Sequence, residues 1–557
     1  MEQDKSLVSL FEASVRKNWF KNAVSDYHGD TLRYSDLALR IEFIHVVFEA
    51  AGLKKGDRVA ICSRNCSNWA VAFWATLTYG AVAVPILHEF KSEQVKNIVN
   101  HSEAKVFFVG DIVWKGLKEE EVPDVVGIVN LMDFSLYTSR RPELDYAFEH
   151  MNELFAKKYP KHFRSDCISY YKQDGDALAI INYTSGSTGK SKGVMIPYRA
   201  LWSNVQFVID EIGDIIAPEG TVVSILPMAH MYGLAFEMIS ELCLGMHVYY
   251  LTKVPSPSII FKAFAEIKPT FIVSVPLIIE KVMRKMVMSK MEDFKIKMLL
   301  KLPVISQKIK DSINEKLKEA FGGRYYEIIV GGAAFNSDVE NLMYSIGFNY
   351  TVGYGTTETA PLITYADWKE FKPGSCGKAV ARMEVKINSN DPEREVGEIL
   401  CRGDNVMLGY YKNEEETAKT LDKDGWYHTG DLGIIDKDGF LYIRGRSKNM
   451  LLGPSGQNIY PEEIEDKLNA MPLVAESVVI QKGVKLYGLI YPDADEAQKQ
   501  GIATGDIPQL LEQTRKEVNA ELPAYEQITA IKIMDREFEK TPKKSIKRFL
   551  YFDEEVS

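Results

Sequence analysis

The sequence predicts an α/β protein. A large N-terminal part of parallel and mixed sheets covered by helices, with a small β-barrel-like subdomain, precedes a small α+β C-terminal domain. Three observations predict this. Short β-branched runs recur between helical stretches, the pattern of parallel strands covered by helices. After about residue 375 short strands and hairpin turns take over, with DKDG at 422–425 and again at 436–439. From about residue 460 a second, smaller α+β pattern begins.

The elements follow in order. Strands are expected at RVAIC (58–62), AVAVPI (81–86), AKVFFVG (104–110), ALAIINYT (177–184), TVVSILPM (221–228), TFIVSVP (270–276) and YEIIVGG (326–332). Helical stretches such as DLALRIEFIHVVFEAAG and KDSINEKLKEAFGG lie between them. Residues 69–87 carry no charge and are long enough to span a bilayer. Gly80 and Pro85 break the run, so it reads as a buried helix, a turn and a strand buried on both faces. Residues 115–165, acidic and lysine-rich, look poor in strands and are expected to form a surface insertion. In the C-terminal part, YPEEIEDKLNAM and PQLLEQTRKEVNAEL read as helices, AESVVIQKGVKLYGLIYP as a hairpin and ITAIKIMDREFE as a strand. The join near 446–450 separates 1–446 from 447–557.

Composition excludes several classes. The chain has 557 residues, 46% hydrophobic and 26% charged, ordinary for a globular protein and ample for several cores. A net charge of -10 argues against nucleic acid as a partner. Six cysteines without a CxxC pair or zinc-ligand spacing suggest neither a disulfide framework nor a structural metal, and fit a cytoplasmic chain. The first twenty residues lack a signal-peptide pattern. Nothing in the sequence specifies an oligomeric state.

The strongest chemical signal is YTSGSTGKSKGV, 183–194, directly after the apolar strand ALAIIN. Small hydroxyl residues and glycines let backbone amides approach a polyphosphate, and lysines add positive charge. The Walker A pattern GxxxxGK[ST] fails here, because its first glycine falls on Thr184. The loop resembles instead the phosphate-loop signature of the adenylate-forming superfamily, which includes acyl-CoA synthetases, peptide-synthetase adenylation domains and luciferases. VGYGTTETAP (352–361) resembles its GYGxTE motif, and GWYHTGDLG (425–433) its YxTGD motif. GRSKN (445–449) and YPEEIE (460–465), with Gly456, resemble the hinge motif.

The resemblance implies ATP, Mg²⁺ and CoA as cofactors and a two-step reaction: a carboxylate is adenylated, then passed to a thiol. It assigns Thr184, Ser185, Gly186, Ser187, Thr188, Gly189 and Lys192 to the β- and γ-phosphates and Thr357 to the α-phosphate. Glu358 would hold Mg²⁺, since a hard cation suits a carboxylate. Gly332, Ala333 and Ala334 would form the adenine slot and Tyr354 would lie against the adenine face. Asp431 and Arg446 would bind the ribose, Gly456 would lie on the CoA side, and Lys448 would be the hinge about which a mobile C-terminal domain turns. His230, in LPMAHMYG (226–233), would lie near the acyl carboxylate. Singly, each has a bland reading: Tyr354 a core aromatic, Glu358 a helix N-terminal acid, Asp431 a turn former, His230 a satisfied structural histidine.

One departure stands out. The superfamily's C-terminal TPxGK or TPxxK lysine neutralises both anions as they converge. Aligned on Thr541 and Pro542, that position is Ser545. Lys544 or Lys547 would have to substitute, and Lys544 needs less slack. The basic run 540–548 also reads as a tail that attracts CoA phosphates or anionic lipid, which would add peripheral membrane contact. The expected function is ligation of a long-chain fatty acid to CoA, with aryl or medium-chain acids or an acyl carrier protein as alternatives. Two other classes compete: a P-loop kinase or ATPase, and a non-catalytic nucleotide- or acyl-binding protein.

Overall fold

The computed structural model describes residues 6–185, 191–253, 255–288, 303–453, 457–541 and 546–556. Its central element is an eight-stranded sheet. In spatial order the strands are Gly409–Tyr410, Ser191–Pro197, Leu178–Ser185, Val82–Pro85, Arg58–Cys62, Val106–Val109, Gly127–Asn130 and Leu136–Ser139. The middle strands pair in parallel, and antiparallel strands close both ends. The uncharged run at 69–87 resolves as expected. Helix Ser67–Tyr79 ends on Gly80, whose φ of 90° requires a residue without Cβ, and strand Val82–Pro85 is buried throughout. No helix among the described residues is long and apolar enough to cross a membrane.

The stretch 115–165 departs from expectation. Gly127–Asn130 and Leu136–Ser139 extend the main sheet, the first pairing in parallel with Val106–Val109. The segment is therefore partly sheet edge and not only a surface insertion.

Four further sheets lie among the described residues of the large part, one of them the antiparallel set Tyr354–Gly355, Leu362–Tyr365 and Lys378–Ala379. Thr221–Ser224, His247–Tyr250, Asn22–Asp26 and Thr31–Arg33 form one; Ile272–Ser274, Ile328–Val330 and Tyr350–Val352 form a parallel trio. Met383–Asn388, Gly397–Gly403, Tyr427–Ile435 and Leu441–Arg446 form an antiparallel sheet where hairpins were expected. One apolar core runs from Leu7 to Leu441. Separate cores lie beyond it, around Ile464, Leu468 and Leu511 and around Leu489, Phe538 and Tyr551. They flank the sheet of Val474–Lys482, Lys485–Pro492 and Ile528–Ile533.

Candidate active site

The expected site residues come from segments far apart in sequence, and the sheets bring several of them together. Asp431 and Arg446 are direct cross-strand partners. Arg446 Nε lies 3.0 Å from Asp431 Oδ1, and the Tyr354 hydroxyl donates to Asp431 Oδ2 at 2.7 Å. Asp431 is only 5% exposed, while the Arg446 side chain is 69% exposed, so the cluster has a buried floor and an open rim. Burial pushes the Asp431 carboxyl above its ordinary range; Arg446 and the Tyr354 hydroxyl oppose this in part. The strand is held in place by Glu398, which accepts from the Gly430 amide at 3.0 Å and lies 3.0 Å from His428 Nδ1.

Glu358 lies in a short 3-10 turn, Thr357–Thr359, beside the buried Thr357. Its carboxylate accepts from the Tyr410 hydroxyl at 2.9 Å, and its carbonyl from the Met407 amide at 2.8 Å. The segment 407–411 also pairs with the strand Ser191–Pro197, through Leu408 to Met195 and Tyr411 to Gly193. Glu358 is thereby tied to the hairpin of Leu178–Ser185 and Ser191–Pro197. In that hairpin Thr184 faces Lys192, and Ser185 faces Ser191. The Lys192 ammonium lies 5.2 Å from the Tyr410 ring centroid and pairs with Glu416, which holds that carboxyl below its ordinary range.

Gly332, Ala333 and Ala334 are exposed after the strand Ile328–Val330. Gly332 has φ +86°, and among the described residues a Cβ there would meet only Val275 Cγ1, at 3.8 Å. His230 is half-buried and caps the helix Met231–Leu234, its Nδ1 accepting from the Tyr232 amide at 3.3 Å. Lys448 is exposed in the turn after Arg446. Gly186, Ser187, Thr188, Gly189, Gly456 and Lys544 lie outside the described residues. Lys547 is described: its ammonium lies 3.3 Å from Glu539, and its amide donates to the Glu539 carbonyl at 2.8 Å.

Three partners were not read from the sequence. Glu416 neutralises Lys192 across 224 positions. Arg548 is half-buried against Glu465 and lies 3.9 Å from Glu462, both in the hinge-motif segment. Lys540 pairs with Glu476 and Glu537. The basic run 540–548 is thus matched by carboxylates at each of its described cations.

Among the described residues no group of three or more His, Cys, Asp or Glu could hold a metal alone. Mg²⁺ shared with phosphates and water would need only one protein carboxylate, and Glu358 is a hard oxygen donor of that kind.

Fold and site define an α/β protein that brings a carboxylate–tyrosine–arginine cluster and a second carboxylate, tied to the hairpin of Leu178–Ser185 and Ser191–Pro197, onto neighbouring sheet elements. The AMP-binding enzyme family matches residues 11–411, and the AMP-binding enzyme C-terminal domain matches residues 449–553. The chain belongs to the AMP-binding enzyme family. It is 28% identical over 540 residues to "Long-chain-fatty-acid--CoA ligase FadD15" of Mycobacterium bovis, covering 89% of this chain and 86% of the relative. It is 26% identical over 500 residues to the long-chain-fatty-acid--CoA ligase of Bacillus subtilis, covering 86% and 82%. Among solved structures it resembles ATP-bound MatB of Rhodopseudomonas palustris (TM-score 0.75, 23% identity, 98% and 99% covered). It also resembles the anthranilate CoA ligase AuaEII (TM-score 0.77, 19% identity, 98% and 96% covered).

Proposed function

We propose that this protein is an AMP-forming acyl-CoA synthetase acting on long-chain fatty acids. The observation that carries the reading is the convergence of Tyr354, Asp431 and Arg446, from separate motifs, on one half-open cluster suited to a ribose. The long-chain preference draws on the curated relatives, which align over most of both chains.

In the first step a carboxylate oxygen of the acid attacks the α-phosphorus of ATP. A new O–P bond forms, the bond to the bridging oxygen breaks, and pyrophosphate leaves. In the second, the deprotonated thiol of CoA attacks the acyl carbon; the C–S bond forms and AMP leaves. Asp431 accepts from the ribose hydroxyls, and Arg446 supports it from the rim. Thr357 donates to the α-phosphate, and Thr184, Ser185, Gly186, Ser187, Thr188, Gly189 and Lys192 surround the outgoing phosphates. Oriented donors of this kind stabilise charge as it develops. Mg²⁺, held by Glu358, would neutralise phosphate charge. Gly332, Ala333 and Ala334 admit the flat base, with Tyr354 beside it. His230 is assigned to the acyl carboxylate and Gly456 to the CoA side.

Lys544 takes the part of the lysine absent at Ser545; Lys547, engaged with Glu539, is the second candidate. The boundary falls at 446/447, and the small part reorients about Lys448 between the half-reactions.

The test is pyrophosphate release by the full chain with ATP and Mg²⁺ across acids from acetate to oleate and aryl acids, then acyl transfer on adding CoA. Release greatest with long-chain acids is expected. Release greatest with an aryl or medium-chain acid would displace the substrate assignment, and ADP as product would displace the class.

A further inference from the structure

His230 ends an irregular segment, 225–230, between the strand Thr221–Ser224 and the helix Met231–Leu234. An irregular segment has no ladder to hold it, so its geometry depends on what grips its backbone. Three side chains do so here.

Glu237, at 0% exposure, accepts from the amides of Ile225 at 3.1 Å and Leu226 at 2.9 Å, and from the Ser224 hydroxyl at 3.0 Å. Asn65, just before the helix Ser67–Tyr79, donates to Ser224 Oγ at 3.0 Å and to the Leu226 carbonyl at 2.6 Å. It also accepts from the Met228 amide at 2.9 Å. Asn182, on the strand that leads into the phosphate loop, donates to the Ala229 carbonyl at 2.9 Å. The segment is therefore fixed from the main sheet at one end and from Glu237 at the other. With Nδ1 accepting from the Tyr232 amide, a neutral His230 carries its proton on Nε2.

A carboxyl at this depth is costly unless hydrogen bonds repay it, and all three donors to Glu237 belong to the root of this one segment. Glu241, four residues further on and also at 0% exposure, differs: both its carboxyl oxygens lack a hydrogen-bond partner among the described residues. Two buried acids thus share one helical stretch, and one of them grips the segment that carries His230.

We propose that Glu237 is a positioning residue for His230: by holding residues 224–226 with Asn65, it aims the Nε2 proton at the acyl carboxylate and the acyl-adenylate. The inference rests on the acid–thiol ligase reading above.

The test uses the full chain and two probes, hexadecanoyl-sulfamoyl-adenosine as an acyl-adenylate mimic and AMP, titrated by calorimetry. Glu237→Gln replaces one acceptor oxygen by a donor at nearly constant volume. It should weaken the acyl probe about tenfold, the worth of a buried hydrogen bond, and leave AMP within about twofold. His230→Ala should weaken the acyl probe alone, and adding Glu237→Gln to it should cost little more. Glu241→Gln should change neither affinity. If Glu237→Gln folds poorly, Asn65→Ala releases the same segment from the other side and should give the same pattern.

Equal weakening of AMP, a full additional loss in the double variant, or the same loss in Glu241→Gln would overturn the positioning role. So would an unchanged acyl affinity in Glu237→Gln. An unaltered protein that binds the acyl probe no tighter than AMP would overturn the ligase reading, and this inference with it.

Discussion

Asp431 sits between a hydroxyl and a guanidinium, with its carboxylate buried and its arginine in solvent. Replacing it by Asn keeps the shape and removes the charge that holds Arg446. We expect Asp431→Asn to weaken AMP binding by roughly 10- to 100-fold, the range for losing charged hydrogen bonds, as read by calorimetry. Because burial raises this carboxyl, AMP affinity of the unaltered protein should fall on acidification earlier than an ordinary aspartate would dictate. Asp431→Asn should flatten that pH profile. Glu358→Gln should raise the Mg²⁺ concentration needed for half-maximal pyrophosphate release, and an unchanged magnesium titration would remove Glu358 from metal binding. These candidate residues stand out in the sequence because each sits in a compact motif. Glu416 and Glu237 do not. Glu416 acts on Lys192 across 224 positions, and no local pattern encodes such a pairing. Glu237 did leave a signal, a lone acid in the apolar run LAFEMI, which marks a buried group in need of donors.

The helix Tyr34–Ala50 shows what one buried ion can do between elements. Glu42, at 3% exposure, accepts from the Tyr159 hydroxyl at 2.6 Å and lies 3.3 Å from both His45 Nδ1 and Lys158 Nζ. Burial pushes its carboxyl up, but His45, Tyr159 and Lys158 outweigh that and hold it at about 2, against an ordinary 4.5. A depressed carboxyl stabilises the fold above its unfolded pKa and loses that contribution as pH falls through the folded one. Stability should therefore decline between about pH 4.5 and 2, by up to about 3 kcal/mol from this group. Urea midpoints across that range should fall less steeply in Glu42→Gln. The neighbouring stretch 115–165 also shows where sequence patterning runs out. Gly127–Asn130 has four residues, with a glycine at its start and an acidic, lysine-rich context on either side. It is a strand because Val106–Val109 offers it a parallel ladder, a long-range fact. The long buried strands and amphipathic helices needed no such help.

At the scale of the molecule, the C-terminal tail is fastened back onto the helix Pro461–Ala470 by Arg548, whose side chain is 15% exposed against Glu465. Burial lifts the Glu465 carboxyl to about 7 despite that arginine, so it can take a proton when its partner is removed. Arg548→Ala should lower the stability of the small part by about 1.5–3 kcal/mol, the worth of a charged hydrogen bond. Amide exchange should quicken over 546–556 and stay unchanged in the main sheet. The alternation of strands and helices and the change of pattern near 375 were both visible in composition. The pairing of the tail with the hinge-motif helix was not, because the basic run reads as a solvated face until its acidic partners are brought to it.

That pairing bears on how reactants arrive. ATP, CoA and a carboxylic acid are all anions, and the chain carries a net charge of -10. Its described tail cations at 540, 547 and 548 are matched by carboxylates, and so are Lys192 and Arg446. Among the described residues these cations are neutralised locally, and the net charge of -10 opposes the approach of a polyanion. On that balance we expect encounter to meet a weak repulsion, with attraction confined to short range. Added salt shortens the reach of that repulsion from about 30 Å at 0.01 M to about 8 Å at 0.15 M. Stopped-flow association of ATP should accordingly speed up across that range, whereas a cleft that steers its substrate electrostatically would slow down.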